Sequence, residues 1–96
     1  MIIAAVSITG IRDSPSVSKY VQKAIDVFKK RALKYQVGPM FTTIEAPTLR
    51  EIFDAIEEAH EAVKKAGALR IVTNIKIDER VDKEITMETK LENLKL

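Results

Sequence analysis

Cysteine is missing from this chain altogether, and with it go disulfides, thiolate catalysis and cysteine-held zinc or iron–sulfur centres. Tryptophan is absent too, and the chain holds only three Gly, three Pro and one His. So little Gly and Pro argues against a disordered or linker-like segment. A lone histidine, His60, cannot build a His-based metal cluster within one chain, and it reads as a helix-surface residue. Charge of one sign is also lacking. Sixteen basic and 14 acidic side chains leave +2, too slight to signal nucleic acid or an acidic membrane. No apolar run approaches the roughly 20 residues that cross a bilayer. The opening MIIAAVSITG lacks the basic start and cleavage site of a signal peptide. These absences predict a cytoplasmic protein without nucleic-acid or membrane partners.

What is present is enough apolar residue for one domain, spanning 1–96, near the lower end of sizes that bury their own core. Residues 2–9, rich in Ile, Val and Ala, read as a first strand. Ser14-Pro15 offers an N-cap and a Pro at the first helical position. Val17, Tyr20, Val21, Ala24, Ile25 and Phe28 then recur at helical spacing as far as about Arg31. Residues 33–37 and 40–46 read as two short strands around a Gly38-Pro39 break. Thr48 with Glu51 opens a second helix that ends at Gly67, followed by a strand over 69–77. Thr86 caps a short final helix carrying Met87, Leu91 and Leu94. The order predicts an α+β fold: a ferredoxin-like βαββαβ antiparallel sheet, two helices on one face and a short C-terminal helix.

Strand alternation sorts Ile2, Ala4, Val6 and Ile8 into one row and Ile3, Ala5, Ser7 and Thr9 into the other. In the last strand Leu69, Ile71, Ile75 and Ile77 share one face, and Val72, Asn74 and Lys76 the opposite. The first face is expected under the helices. The second, with Ile3, Ala5 and Val72, is expected to meet another copy in a homodimer or homotetramer, because open apolar patches mark interfaces.

No Ser-His-Asp order, nucleophile elbow or Gly-rich phosphate loop occurs, so catalysis is not expected. Arg12 lies where acylphosphatases of this topology grip phosphate, but Asp13 and Pro15 spoil the cradle of backbone donors. Strands one and four carry no aromatics on which RNA bases could stack. What remains is small-molecule recognition. Tyr35, Phe41 and Tyr20 can stack on a flat heterocycle. Ser7, Thr43 and Asn74 can supply hydrogen bonds, and Glu45 can pair with a cation or an amino group. A structural or regulatory protein-interaction module with no small ligand is the alternative.

Several segments carry a resemblance. They are Val6-Ser-Ile8, Ser16-Val-Ser-Lys-Tyr20, Leu33-Lys-Tyr35, Gly38-Pro-Met-Phe-Thr-Thr-Ile-Glu45 and Ile75-Lys-Ile-Asp-Glu-Arg80 followed by Asp82-Lys83. Together the chain resembles the thiamine-binding protein family, a YkoF-like group also called DUF77. The resemblance implies a ferredoxin-like domain that forms dimers and often tetramers. It also implies binding of thiamine or its hydroxymethylpyrimidine moiety, with no required cofactor. Thr43, Glu45, Arg80 and Asp82 match the family pattern as they stand. Phe41 departs from it, standing where the pattern has Gly, and so adds a side chain to the expected site.

Overall fold

The computed structural model describes residues 1–13 and 18–95. The elements run β1 (Ile2–Ile11), α1 (Ser18–Lys30), β2 (Lys34–Val37), β3 (Thr42–Ala46), α2 (Leu49–Lys65), β4 (Arg70–Asp78) and α3 (Met87–Leu91). Four antiparallel strands lie in the order β2-β3-β1-β4, which is the ferredoxin-like arrangement that the element order predicts. The expected Ser14-Pro15 cap and Val17 lie outside the described residues. Among the described residues no helix is long and apolar enough to cross a membrane.

Local chemistry accounts for the helices. In α2 the Thr48 hydroxyl accepts the Glu51 N–H at 3.2 Å, Glu51 sits in the first turn, and Lys64 and Lys65 sit in the last. Acid at the start and base at the end suit the helix dipole. The helix stops at Gly67, whose φ of +108° is open to glycine and strained for other residues. Ile52, Ala55, Ile56, Ala59 and Val63 make its buried stripe, facing Tyr20, Ala24, Val27 and Phe28 of α1. Both stripes close on the sheet row of Ile2, Ala4, Val6 and Ile8, together with Ile44 and Ala46 of β3. Phe28, Ile44, Ile52 and Val63 are fully buried, and each contributes about 1.5–3 kcal/mol relative to exposure.

Three expectations need correcting. β1 continues to Ile11 because β4 pairs with it that far, whereas β3 begins only at Thr42. The apolar row of the last strand is not fully packed under helices. Leu69 precedes β4 and is exposed, and Ile75 and Ile77 stay 41% and 37% accessible because β4 is the sheet edge, where α2 touches Thr73 but does not cover the later residues. On the second face, Ile3 is not left for another copy, since Ile85 and Met87 bury it within the same chain. Ala5, Ser7, Thr9, Val72, Asn74 and Lys76 remain in the open part of that face.

Gly10 is fixed by packing. A Cβ built there would lie 2.6 Å from the Tyr20 ring, which seats on the bare backbone of β1. Gly10→Ala is therefore expected to cost about 1–3 kcal/mol in chemical denaturation, from overpacking. In a Tyr20→Ala background the same change is expected to cost little. An equal penalty in both backgrounds would show that the ring is not what excludes the methyl group.

Candidate functional site

The β2–β3 turn creates the main cleft. Gly38 donates its N–H to the Phe41 carbonyl at 2.9 Å, and a Cβ on Gly38 would meet that oxygen at 2.7 Å, so the turn is tight and needs glycine. Pro39 brings no amide proton to extend pairing. With β3 starting after this turn, β1 pairs with β3 only from Ile2 to Val6, while its other edge pairs with β4 as far as Ile11. From Ser7 onward the β3-side edge of β1 borders a hollow of about 100 Å³ instead of a strand. Val21, Ala24, Ile25 and Phe28 of α1 roof it, and Gly38–Thr42 form its outer wall. Phe41, 42% accessible, stands at the rim beside the exposed Met40. Along an antiparallel strand the N–H and C=O of one residue point to the same side and successive residues alternate. At least one residue among Ser7, Ile8 and Thr9 therefore turns a donor and an acceptor toward the hollow.

The residues singled out in the sequence do not gather at one place. Ser7, Thr43 and Asn74 lie on the second face, where Asn74 Nδ2 donates to Ser7 Oγ at 3.4 Å. A shallow depression of about 360 Å³ between Ala5, Thr43, Lys76 and the Asp78–Lys90 ion pair adjoins them. Tyr35 sits on the opposite face, opposite Ile44, and packs against the core. Tyr20 is buried over Gly10. Of the aromatics singled out in the sequence, Phe41 alone reaches the cleft, where it stands at the rim.

Glu45 has a structural partner. It is 5% accessible, and its Oε2 accepts the Met87 backbone N–H at 2.9 Å, satisfying the first turn of α3. Lys34 Nζ lies 3.7 Å from Glu45 Oε1 and also pairs with Glu88, so the carboxylate, β2 and α3 form one cluster. The Thr86–Thr89 capping box completes the docking of α3. Arg12 is committed elsewhere: its guanidinium donates to the Gly67 carbonyl, bracing the α2–β4 turn rather than forming a phosphate loop. His60 Nδ1 lies 2.7 Å from Thr73 Oγ1, and no cluster able to hold a metal ion occurs among the described residues. The Arg80 side chain hydrogen-bonds Asp82 and holds its carboxyl below the usual range, far from the cleft. The α1 roof and the free β1 edge were not singled out in the sequence. The one signal for them there is a first strand longer than the third.

Fold and site together describe a small ferredoxin-like α+β domain with a cleft beneath α1. A model of the family described as thiamine-binding protein matches residues 4–95, and the chain belongs to that family. A UPF0045 protein of Methanocaldococcus jannaschii is 49% identical over 90 residues, covering 94% of this chain and 88% of that one. Its crystal structure superposes with a TM-score of 0.87, over 95% of this chain and 92% of that one. A DUF77 domain from Bacillus cereus superposes at 0.85 with 31% identity, over 94% of this chain and 86% of that one. A Thermotoga maritima protein, whose description proposes a role in thiamine biosynthesis or salvage, superposes at 0.82 with 25% identity, over 95% of each chain.

The role of Glu45 is open to a direct test. Glu45→Gln keeps the shape but loses the charge-assisted bond, and is expected to cost about 1–3 kcal/mol. Exchange of the Met87 amide is expected to quicken about tenfold or more. Unchanged protection at Met87 would contradict the docking role.

Proposed function

We propose that this chain is a non-catalytic binding protein for the pyrimidine of thiamine or for free hydroxymethylpyrimidine, acting as a cytoplasmic homo-oligomer. The observation that carries the reading is the composition of the cleft. Its lining holds a free strand edge, apolar side chains, hydroxyls and one aromatic rim, with no titratable side chain among the described residues. General acid–base and nucleophilic catalysis need such a group within hydrogen-bond reach, so this lining suits binding without turnover.

Size favours one ring. A cavity of about 150 Å³ holds a benzene ring, and this one is about 100 Å³. The hollow is smaller than that but open at its mouth, so one pyrimidine ring enters in part, with its carbon substituents and the second ring of thiamine outside. An aminopyrimidine presents a donor beside an acceptor in one plane. A free strand edge presents the complementary pair, as in recognition by strand addition. Phe41 stacks on the ring face at the rim. Family membership and the description of the Thermotoga relative support the ligand class. On this reading Ser7 and Phe41 contact the ligand. Asn74 bears on it through its hydrogen bond to Ser7 on the far face, while Thr43, Glu45 and Tyr35 support the site through the fold.

Calorimetry with hydroxymethylpyrimidine and with thiamine tests this. Both are expected to bind, with similar affinity because the deep contacts are shared, and Phe41→Ala is expected to weaken both about tenfold. Absence of heat from either ligand at millimolar concentration, with a folded protein, would overturn the reading.

A further inference from the structure

Two hydrogen bonds at different edges of the sheet fix the side to which each backbone group of β1 turns. Leu69 donates its N–H to the Ile11 carbonyl at 2.8 Å, so the polar groups of Ile11 turn toward β4. The β1–β4 register runs unbroken from Ile3 to Ile11, and alternation carries that side to Thr9, Ser7 and Ala5. Ile8 and Val6 therefore turn the other way, toward β3. The second bond agrees. Gly38 donates to the Phe41 carbonyl, which turns Phe41 toward β2 and continues the β2–β3 register. Thr42 then turns toward β1, where its partner is Val6. Both edges give one parity: Ser7 and Thr9 commit their N–H and C=O to Asn74 and Val72 of β4, and Val6 commits its own to Thr42 of β3.

Ile8 is left without a strand partner. β3 begins only at Thr42, one residue pair short of this level, and Ile8 lines the hollow. Gly10 turns the same way but lies outside that lining. The Ile8 side chain is 6% accessible and belongs to the core beneath the helices, so its backbone alone faces the opening. Its N–H and C=O lie side by side in the plane of the sheet, held there by the β4 pairing of Ser7 and Thr9 on the other edge. Such a pair needs a partner, and its fixed orientation lowers the ordering cost of binding one. The partner must carry an acceptor beside a donor in that same plane. A flat ring so placed turns one face to Val21 and Ile25 of α1. Its other face looks to the side where Phe41 continues the row of Thr43.

We propose that Ile8 reads the ligand through its backbone: its N–H donates to a ring nitrogen and its C=O accepts from the neighbouring amino group. The cleft on this account selects planar heterocycles that carry an acceptor and a donor on one edge. The assignment rests on the reading of the cleft as a pyrimidine site and adds which atoms make the contact. Recognition by a backbone pair leaves the ring orientation to the strand, while Phe41 and the α1 side chains set only what lies above and below it.

Hydrogen exchange at three neighbouring amides tests this, first without ligand. Ser7 and Thr9 are expected to be protected by β4, and Ile8 to exchange about tenfold faster than either, or more. Saturation with hydroxymethylpyrimidine is expected to slow Ile8 about tenfold or more and to leave the other two unchanged. The analogue with hydrogen in place of the amino group keeps the acceptor and loses the donor. In calorimetry it is expected to bind about tenfold more weakly, or worse, because the Ile8 carbonyl stays unpaired. An Ile8 amide as protected as its neighbours in the free chain would overturn the proposal whatever binds. Binding of hydroxymethylpyrimidine without slowing at Ile8, or with the same affinity as the analogue, would overturn it and leave the pyrimidine reading standing. No binding of either compound, with Ile8 exchanging fast in the free chain, would overturn the ligand assignment and the pyrimidine reading together.

Discussion

The unequal pairing of β1 shapes most of what is specific to this molecule. Nine residues of β1 are matched by β4, but only five by β3. The tight Gly38–Phe41 turn sets the difference, because it spends chain on a reversal before β3 begins. Buried backbone donors and acceptors that lack partners are costly, so a strand edge left open under a helix needs water or a ligand. Here the opening lies beneath α1 and holds about 100 Å³. The same shortfall places Phe41 at the rim, where an aromatic can close over whatever enters.

A second consequence concerns the C-terminal segment. Five residues of helix cannot hold themselves, and α3 persists because Ile85 and Met87 bury Ile3 while Glu45 takes the Met87 amide. A buried carboxylate is tolerable only when it is hydrogen-bonded and faces a cation, and Lys34 provides that. Glu45 thus ties β3, β2 and α3 into one unit. Its presence beside hydroxyls and aromatics in the sequence signals a structural junction as readily as a ligand contact.

Most of the fold is legible in the sequence, since each element carries local evidence. The Thr48 and Thr86 caps and the alternating rows of β1 form as their spacing predicts, and the helix stripes bury Tyr20, Ala24, Phe28, Ile52, Ile56, Ala59 and Val63, while Val21, Leu49 and Phe53 stay exposed. What escapes is set by contacts between distant residues. Nothing near Glu45 says that Met87, 42 positions later, lands on it. Nothing near Ile75 and Ile77 says that α2 stops short of the sheet edge. The side on which Tyr35 falls depends on the β2–β3 register, which the turn fixes. The candidate site was half visible for the same reason. Phe41 and the Gly38-Pro39 break stand out as residues, whereas the open backbone edge of β1 is a property of pairing and has no residue type of its own.

The central claim is that the free edge of β1, between α1 and the Gly38–Thr42 turn, receives a pyrimidine ring. Amide chemical shifts followed during titration with hydroxymethylpyrimidine address it most directly, because each backbone group reports separately. The account predicts saturable shifts at Ser7, Ile8, Thr9, Phe41 and Thr42, with smaller ones along the facing side of α1. Shifts confined to Asn74, Lys76 and the α3 region, with the β1 edge unmoved, would contradict it.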